Sequence, residues 1–238
     1  MQALVGARRV CRRALAFVLC LSLLGCALST RARGYEAYRS AQNASKKIAL
    51  TFDDGPHPSQ TKAILDILDR YGVRATFFMV GVNIENYPEA AKAVISAGHE
   101  VGNHTYSHAK IGKMTELEVS RELDACESLL VDILGYEPHL FRPPQGALSD
   151  AIEGCSFEHD YRLILWSLDT RDWEIKDAER IASCVLSNVK GGDIVLMHDY
   201  IGTHSRTAQA LEKLLPVLLF RGYEFVTVSE LLDETSEN

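Results

Sequence analysis

From residue 46 onward the chain alternates short apolar runs with amphipathic stretches. Strand-like runs are "KIALTF" (47–52), "ATFFMV" (75–80), "HEVGNH" (99–104), "LFRP" (140–143), "LILWSL" (163–168), "DIVLMH" (193–198) and "EFVTV" (224–228). Helical spacing occupies the intervals 59–71, 86–97, 115–134, 177–190 and 204–221. In "TKAILDILDRYG" the apolar residues Ile64, Leu65, Ile67 and Leu68 share one side of a helical period, and Gly72 stands where a C-terminal cap belongs. "SDAIEGCSFEHD" (149–160) is the least legible stretch, because Gly154 and Ser156 interrupt a would-be helix. Strands alternating with helices imply parallel strands joined by right-handed crossovers. The predicted fold class is therefore α/β: a single domain built as a distorted, incomplete (β/α) barrel of about seven parallel strands. An open doubly wound sheet is the alternative.

The chain has 238 residues, 47% of them hydrophobic, enough for one sizeable core. The beginning departs from the alternating pattern. Arg8, Arg9, Arg12 and Arg13 precede "ALAFVLCLSLL" (14–24), a positive region followed by a short apolar one, as in an export signal. The run is shorter than the roughly 20 apolar residues of a stable membrane span. "LLGC" (23–26) resembles a bacterial lipobox with Cys26 as the lipid-modified residue; ordinary cleavage near "ALS" (27–29) is the alternative. The expected organisation is a signal peptide or lipoprotein signal over 1–28, a polar tether over 29–45 and one folded domain over 46–238. The protein is thus expected outside the cytoplasm, extracellular or in the cell envelope, with membrane attachment through the N-terminal segment as one outcome. A formal net charge of −7 argues against a nucleic-acid partner held by a general basic field. Cys126, Cys155 and Cys184 show no CxxC spacing; an oxidising compartment leaves room for one disulfide among them, and a zinc–thiolate site is not expected.

In parallel α/β folds, reactive groups collect where strands deliver the chain into the βα loops. Five predicted strand ends are polar here: Asp53 and Asp54, "NHTYSH" (103–108), "FRPPQG" (141–146), "DTRDW" (169–173) and "LMHDY" (196–200). Adjacent carboxylates repel, so Asp53 and Asp54 call for a cation. His104 and His108 stand four apart, and on a helical turn both imidazoles would face the same way. Two imidazoles and one carboxylate make a common zinc set with a fourth position open for water. Zinc lowers the pKa of water from ~15.7 to ~7, whereas a lone carboxylate near ~4 could hardly deprotonate bulk water. The second carboxylate is then free to serve as a base. Arg142, fixed by Pro143 and Pro144, would keep that base ionised. His198 could give a proton to a leaving group. Plainer readings exist for each: turn-forming acids before Gly55-Pro56, core histidines, and a surface ion pair worth little.

These segments resemble, in order, the five motifs of the NodB-type polysaccharide deacetylases, carbohydrate esterase family 4: "TFDDGPH" (51–57), "HTYSH" (104–108), "RPPQG" (142–146), "DTRDW" (169–173) and "LMH" (196–198). The resemblance runs from Lys46 to the C-terminal region. It implies metal-dependent hydrolysis of N-acetyl groups from N-acetylglucosamine-type polysaccharide, peptidoglycan or chitooligosaccharide, with release of acetate. It implies Asp53 as general base and Asp54, His104 and His108 as ligands of a divalent metal, Zn²⁺ first, Co²⁺ or another divalent ion next. Arg142 would pair with the base, Asp172 would orient His198, and His198 would be the general acid. Trp173 would wall the sugar groove, Leu196 would meet the acetyl methyl, and the backbone N–H of Gln145 would face the oxyanion. The family's third motif usually carries an aromatic residue where this chain has Gln145, so the groove differs there while the backbone donor remains. Two other readings share the scaffold: an O-acetyl esterase acting on acetylated xylan, and a catalytically inactive carbohydrate-binding relative. The retained ligands, base and acid weigh against the second.

Overall fold

The structure, a computed structural model, describes residues 37–42, 45–202 and 205–233. The export signal, Cys26 and the first part of the tether lie outside the described residues. Seven strands pair in parallel in the order β5-β4-β3-β2-β1-β7-β6. They are β1 (Lys47–Asp53), β2 (Thr76–Met79), β3 (Glu100–Asn103), β4 (Leu140–Phe141), β5 (Arg162–Leu163), β6 (Leu168–Asp169) and β7 (Ile194–His198). A short β8 (Glu224–Phe225) pairs with the first residues of β1. The sheet curls into the incomplete barrel that the alternating pattern predicts.

The barrel's open edge explains one departure from the sequence reading. "LILWSL" forms no continuous strand; it splits into the ends of β5 and β6. Between them Tyr38 bridges Ile164 in parallel, and Ser40 bridges Asp193 on the β7 side. Tyr38 N–H donates to Leu163 O at 2.8 Å and Leu165 N–H donates to Tyr38 O at 2.7 Å. Ala41 is buried. Residues 38–41, read from sequence as tether, therefore fill the gap and belong to the folded unit.

Helices cover the outside: α1 (Gln60–Tyr71), α2 (Gly81–Asn86), α3 (Pro88–Ser96), α4 (Glu116–Leu134), α5 (Asp150–Glu158), α6 (Ala178–Asn188), α7 (Thr207–Phe220) and α8 (Val228–Asp233). None of the described helices is long and apolar enough to cross a membrane. α1 buries Ile64, Leu65, Ile67 and Leu68 and ends at Gly72 with φ 64°, as its pattern predicts. The interval 86–97 instead holds parts of two helices. Pro88 disfavours helical backbone at the residue before it, and Tyr87 breaks the helix at φ −135° and ψ 56°. α5 forms despite Gly154 and Ser156: Ser149 caps it through Ile152 N–H, and Ser156 Oγ donates to Ile152 O at 2.7 Å. The predicted strand 224–228 stops at Phe225, because Thr227 and Glu230 cap each other's backbone N–H and start α8. Cys126, Cys155 and Cys184 are free thiols, so the disulfide that the sequence left room for is not formed. They sit apart on α4, α5 and α6.

The two-residue alternation of strands sorts side chains between two sides of the sheet. On β1, Ile48, Leu50 and Phe52 pack with α1 and α7, while Ala49 joins Phe78, Leu140, Ile164 and Ile194 inside the barrel. Thr51 and Asp53 share the face of Ala49. On β7, Val195 and Met197 face the helices, which turns Ile194, Leu196 and His198 inward. The strand pattern thus aims Asp53 and His198 into the barrel mouth, and the register sets them side by side, Asp53↔His198.

Candidate active site

A cleft of about 460 Å³ opens at the carboxyl ends of the strands. Its lining includes Asp53, Asp54, His104, His108, Gln145, Trp173, Leu196 and His198, eight of the ten site residues predicted from sequence. The other two, Arg142 and Asp172, are buried behind the wall, each bonded to a residue that lines it.

Asp54 Oδ1 lies 3.1 Å from His108 Nε2 and 3.4 Å from His104 Nε2. All three donor atoms fall within 4.8 Å of one another. Tetrahedral ligands at about 2.1 Å from a cation stand roughly 3.4 Å apart, so the set fits a divalent metal. His104 Nδ1 lies 2.6 Å from the carbonyl oxygen of Arg142, which can only accept. Nδ1 therefore carries a proton, and Nε2 is the ring atom turned towards Asp54. Burial would raise the Asp54 carboxyl, but hydrogen bonds to His104 and His108 hold it well below the usual carboxylate range.

The two histidines do not share a helical turn, as their spacing had suggested. Thr105 and His108 have positive φ, 68° and 54°, and Asp54 and Gln145 do too, at 76° and 60°. Such backbone is costly outside glycine and is concentrated here where the chain presents donors. Local bonds hold it: Thr105 N–H donates to Asn103 Oδ1 at 2.8 Å, and Asn83 Nδ2 donates to Asp54 O at 2.7 Å.

Asp53 is 3% exposed and faces a fully buried cation. Arg142 Nη1 donates to Asp53 Oδ1 at 2.7 Å and to Thr51 Oγ1 at 2.8 Å, and Nη2 donates to Leu165 O at 2.9 Å. Its guanidinium lies 4.1 Å from the Phe78 ring centroid and 5.8 Å from that of Trp166. This is no surface ion pair. Its geometry holds Asp53 by one oxygen and leaves Oδ2 3.8 Å from His104 Nε2.

Across the cleft, His198 Nδ1 lies 2.7 Å from Asp172 Oδ1. Asp172 Oδ2 accepts from His198 N–H at 2.8 Å and from Thr207 Oγ1 at 2.7 Å. Burial alone would lower the His198 imidazole, but the Asp172 bond and the nearby Asp53 and Asp54 charges raise it to about 9. It is thus a cation at neutral pH, with Nε2 free for the cleft.

The sequence profile described as polysaccharide deacetylase matches residues 40–164. A peptidoglycan-N-acetylglucosamine deacetylase of Bacillus cereus is 42% identical over 201 residues, 84% of this chain and 93% of that protein. The chain belongs to the polysaccharide deacetylase family. Among solved structures, the Bc1960 peptidoglycan N-acetylglucosamine deacetylase superposes with a TM-score of 0.79 at 36% identity, covering 82% of this chain and 92% of that one. A family 4 acetyl xylan esterase from Clostridium thermocellum, solved with a cobalt ion, gives 0.73 at 34% identity, covering 78% and 90%. Deacetylases of this family use a divalent metal, and the Asp54, His104 and His108 donors form a candidate site for one.

Within this family frame, some lining residues had been given no role of their own from the sequence. Trp166 and Asp169 complete the cleft. Trp166 was read only as part of a strand, yet it stands over Gly146, where an added Cβ would come within 2.7 Å of its ring. Asp199 is buried behind the first motif and accepts from Gly55 N–H at 2.9 Å and from Thr61 Oγ1. A Cβ at Gly55 would stand 2.0 Å from Asp199 Oδ2, which is why "DDGP" carries glycine there. The adjacency of Asp199 to His198 was its only signal.

Proposed function

We propose that the protein hydrolyses the acetamido group of N-acetylglucosamine-type polysaccharide, peptidoglycan before chitooligosaccharide, releasing acetate and leaving an amine on the sugar. One observation carries this reading: a three-donor cation site and an Arg-paired carboxylate stand on one side of a cleft, with a cationic histidine on the other. A divalent cation, Zn²⁺ or Co²⁺, held by Asp54, His104 and His108 would polarise the amide carbonyl and acidify a water molecule. Asp53, fixed by Arg142, accepts a proton from the attacking water as the carbon–oxygen bond forms. The Gln145 N–H donates to the oxyanion, a contribution worth ~10²–10³ in rate in other hydrolases. His198, held by Asp172, gives its Nε2 proton to the nitrogen as the carbon–nitrogen bond breaks. Without that proton the leaving group would be an amide anion. Leu196 and Trp173 shape the cleft around the acetyl group and the sugar. Cell-wall glycan lies outside the cytoplasm, where an N-terminal export signal and lipidation at Cys26 would deliver this chain.

The likeness to an acetyl xylan esterase favours one second reading, O-acetyl ester hydrolysis, because both reactions pass through the same tetrahedral geometry. Metal-loaded protein is to be incubated in parallel with peptidoglycan, chitooligosaccharide and acetylated xylan, and acetate and free amine measured. The proposal expects acetate and amine in equal amounts from an N-acetylated glycan. Acetate without amine, from xylan alone, would establish the esterase; no acetate from any substrate would leave a carbohydrate-binding relative.

A further inference from the structure

The loop 104–108 carries two of the three cation donors, and its backbone turns through positive φ at Thr105 and His108. Beyond His104 no helix or sheet ladder serves it, so its N–H groups need other partners. Each of its five N–H groups has one. His104 N–H donates to Met79 O at 3.0 Å, and Tyr106 N–H donates to Glu122 O at 3.1 Å. Thr105 N–H donates to Asn103 Oδ1 at 2.8 Å, Ser107 N–H to Glu122 Oε2 at 2.8 Å, and His108 N–H to Thr105 Oγ1 at 3.2 Å. Two of the five therefore end on Glu122 of α4, one on its carbonyl and one on its carboxylate. The other carboxylate oxygen, Oε1, accepts from Ser107 Oγ at 2.8 Å.

Asn103 is itself held from behind. Its Nδ2 donates to Leu123 O at 3.0 Å and to Tyr161 Oη at 3.1 Å, and the Tyr161 hydroxyl donates to Glu127 Oε2 at 2.7 Å. Asn103 and Tyr161 are both buried. Both amide hydrogens and the amide oxygen of Asn103 are thus in use, and the hydroxyl both accepts and donates. The amide cannot turn over, because a flip would set its Nδ2 against the Thr105 N–H and its Oδ1 against Leu123 O. A buried network satisfied in this way fixes one arrangement. The Tyr161 ring stacks on His159, with centroids 5.8 Å apart, and lies 6.1 Å from the Phe141 ring, so its packing does not depend on the hydroxyl. Glu122 and Tyr161 do not line the cleft, and both lie outside the five segments that carry its chemistry.

We propose that Glu122, and Tyr161 acting through Asn103, are positioning residues of the cation site: they hold the loop 104–108 in its donor-convergent form before an ion arrives, and so set how tightly the ion is bound. The inference rests on the reading of Asp54, His104 and His108 as that site. The left-handed backbone at Thr105 and His108 is costly and persists only where its surroundings fix it. Without the bonds from Asn103 and Glu122, more open forms of the loop compete, and in these His104 and His108 no longer meet Asp54. The apparent affinity for the ion then falls by the fraction of chains that keep the convergent form.

The test is titration of metal-stripped protein with Zn²⁺ in competition with a chelating dye, with the melting temperature followed in the stripped and the loaded state. Tyr161→Phe keeps the ring and removes the hydroxyl; Glu122→Ala removes the carboxylate. Each is expected to weaken Zn²⁺ binding by at least about tenfold, the lower end of the ~10–100-fold found for partners of ligating groups. Glu122→Gln can still accept from the Ser107 N–H and donate to Ser107 Oγ, so it should bind Zn²⁺ as the wild type does. A merely structural role would lower the melting temperature of stripped and loaded protein alike and leave the affinity unchanged. Unchanged affinity in either Tyr161→Phe or Glu122→Ala overturns the role of that residue, and equal weakening in Glu122→Gln and Glu122→Ala overturns the part given to the Ser107 bonds. Should Tyr161→Phe fail to fold, the two Glu122 variants decide the matter. Wild-type protein that binds no Zn²⁺ removes the cation site itself and this inference with it.

Discussion

The two sides of the cleft solve different electrostatic problems. On the side of β1, β3 and β4, charges are crowded and each faces an opposite one. Asp53 meets the fully buried Arg142, and Asp54 is held low by two imidazoles although burial pushes the other way. On the side of β6 and β7, one histidine leans on one buried carboxylate, and open Trp173 stands at the rim. Asp199, next to His198, sharpens the contrast. It is as buried as Asp53 but meets only a backbone N–H and a hydroxyl, and burial pushes it up to about 7. A buried carboxylate facing a cation is kept for its charge; one facing neutral dipoles serves as a clamp. The first side is therefore fitted to hold a cation and a base, and the second to hold and release a proton.

Removing a cation donor should break the first side most severely. Asp54→Asn or His104→Ala is expected to lower acetate release by at least about 10³-fold, beyond the ~10–100-fold of an outer-shell partner. Metal analysis of the purified variants should show less than one ion per chain. Retention of both activity and metal would undo the contrast.

Arg142→Ala should act on stability as much as on rate. It leaves Asp53 buried without its cation, a loss worth about 3–5 kcal/mol in urea unfolding. Arg142→Ala combined with Asp53→Asn should cost less than the sum of the two single changes, since the stranded charge is gone. Additive losses would mean that the pair is not coupled.

On the second side, His198→Ala is expected to slow amide hydrolysis by ~10²–10⁴-fold and ester hydrolysis by less, because an alkoxide leaves more readily than an amide anion. The sign of the pH effect follows from the raised imidazole. His198 is protonated below about 9 and loses its proton above it, so amidase activity should fall as pH rises through that region. A cation on Asp54 cancels part of the negative field at His198, so the holoenzyme's fall should come somewhat lower. Asp172→Asn should move it lower still, since the bond that raises His198 is weakened. A pH–rate profile that is the same in wild type and Asp172→Asn would contradict this assignment. The smallest effect is expected at Gln145. Gln145→Tyr alters an exposed cleft side chain and keeps the backbone N–H, so KM should change by a few fold at nearly constant kcat.

The barrel could be read from the chain because its strands are apolar runs whose ends carry the chemistry, and every one of the ten predicted site residues lies in or directly behind one cleft. What escaped reading came from tertiary context. The gap between β5 and β6 is filled by residues 38–41, whose polar sequence carries no strand signal. α5 survives a glycine and a serine because Ser156 bonds its own helix, and α8 begins at a capping pair inside an apolar run. The histidine pair was found through the right residues and the wrong geometry. Its convergence comes from left-handed backbone at Thr105 and His108, which no spacing rule reports. Trp166 was hidden for a related reason: a tryptophan within an apolar run looks like core until the turn at Gly146 brings the cleft to it.

The most direct test of the central claim is a metal titration of acetate release from peptidoglycan. Protein stripped by exhaustive chelation should release no acetate, and activity should return in proportion to added Zn²⁺ up to one equivalent per chain, with no recovery in Asp54→Asn. Full activity in the stripped protein, or equal restoration in Asp54→Asn, would contradict the assignment of Asp54, His104 and His108 as the cation site that the reaction requires.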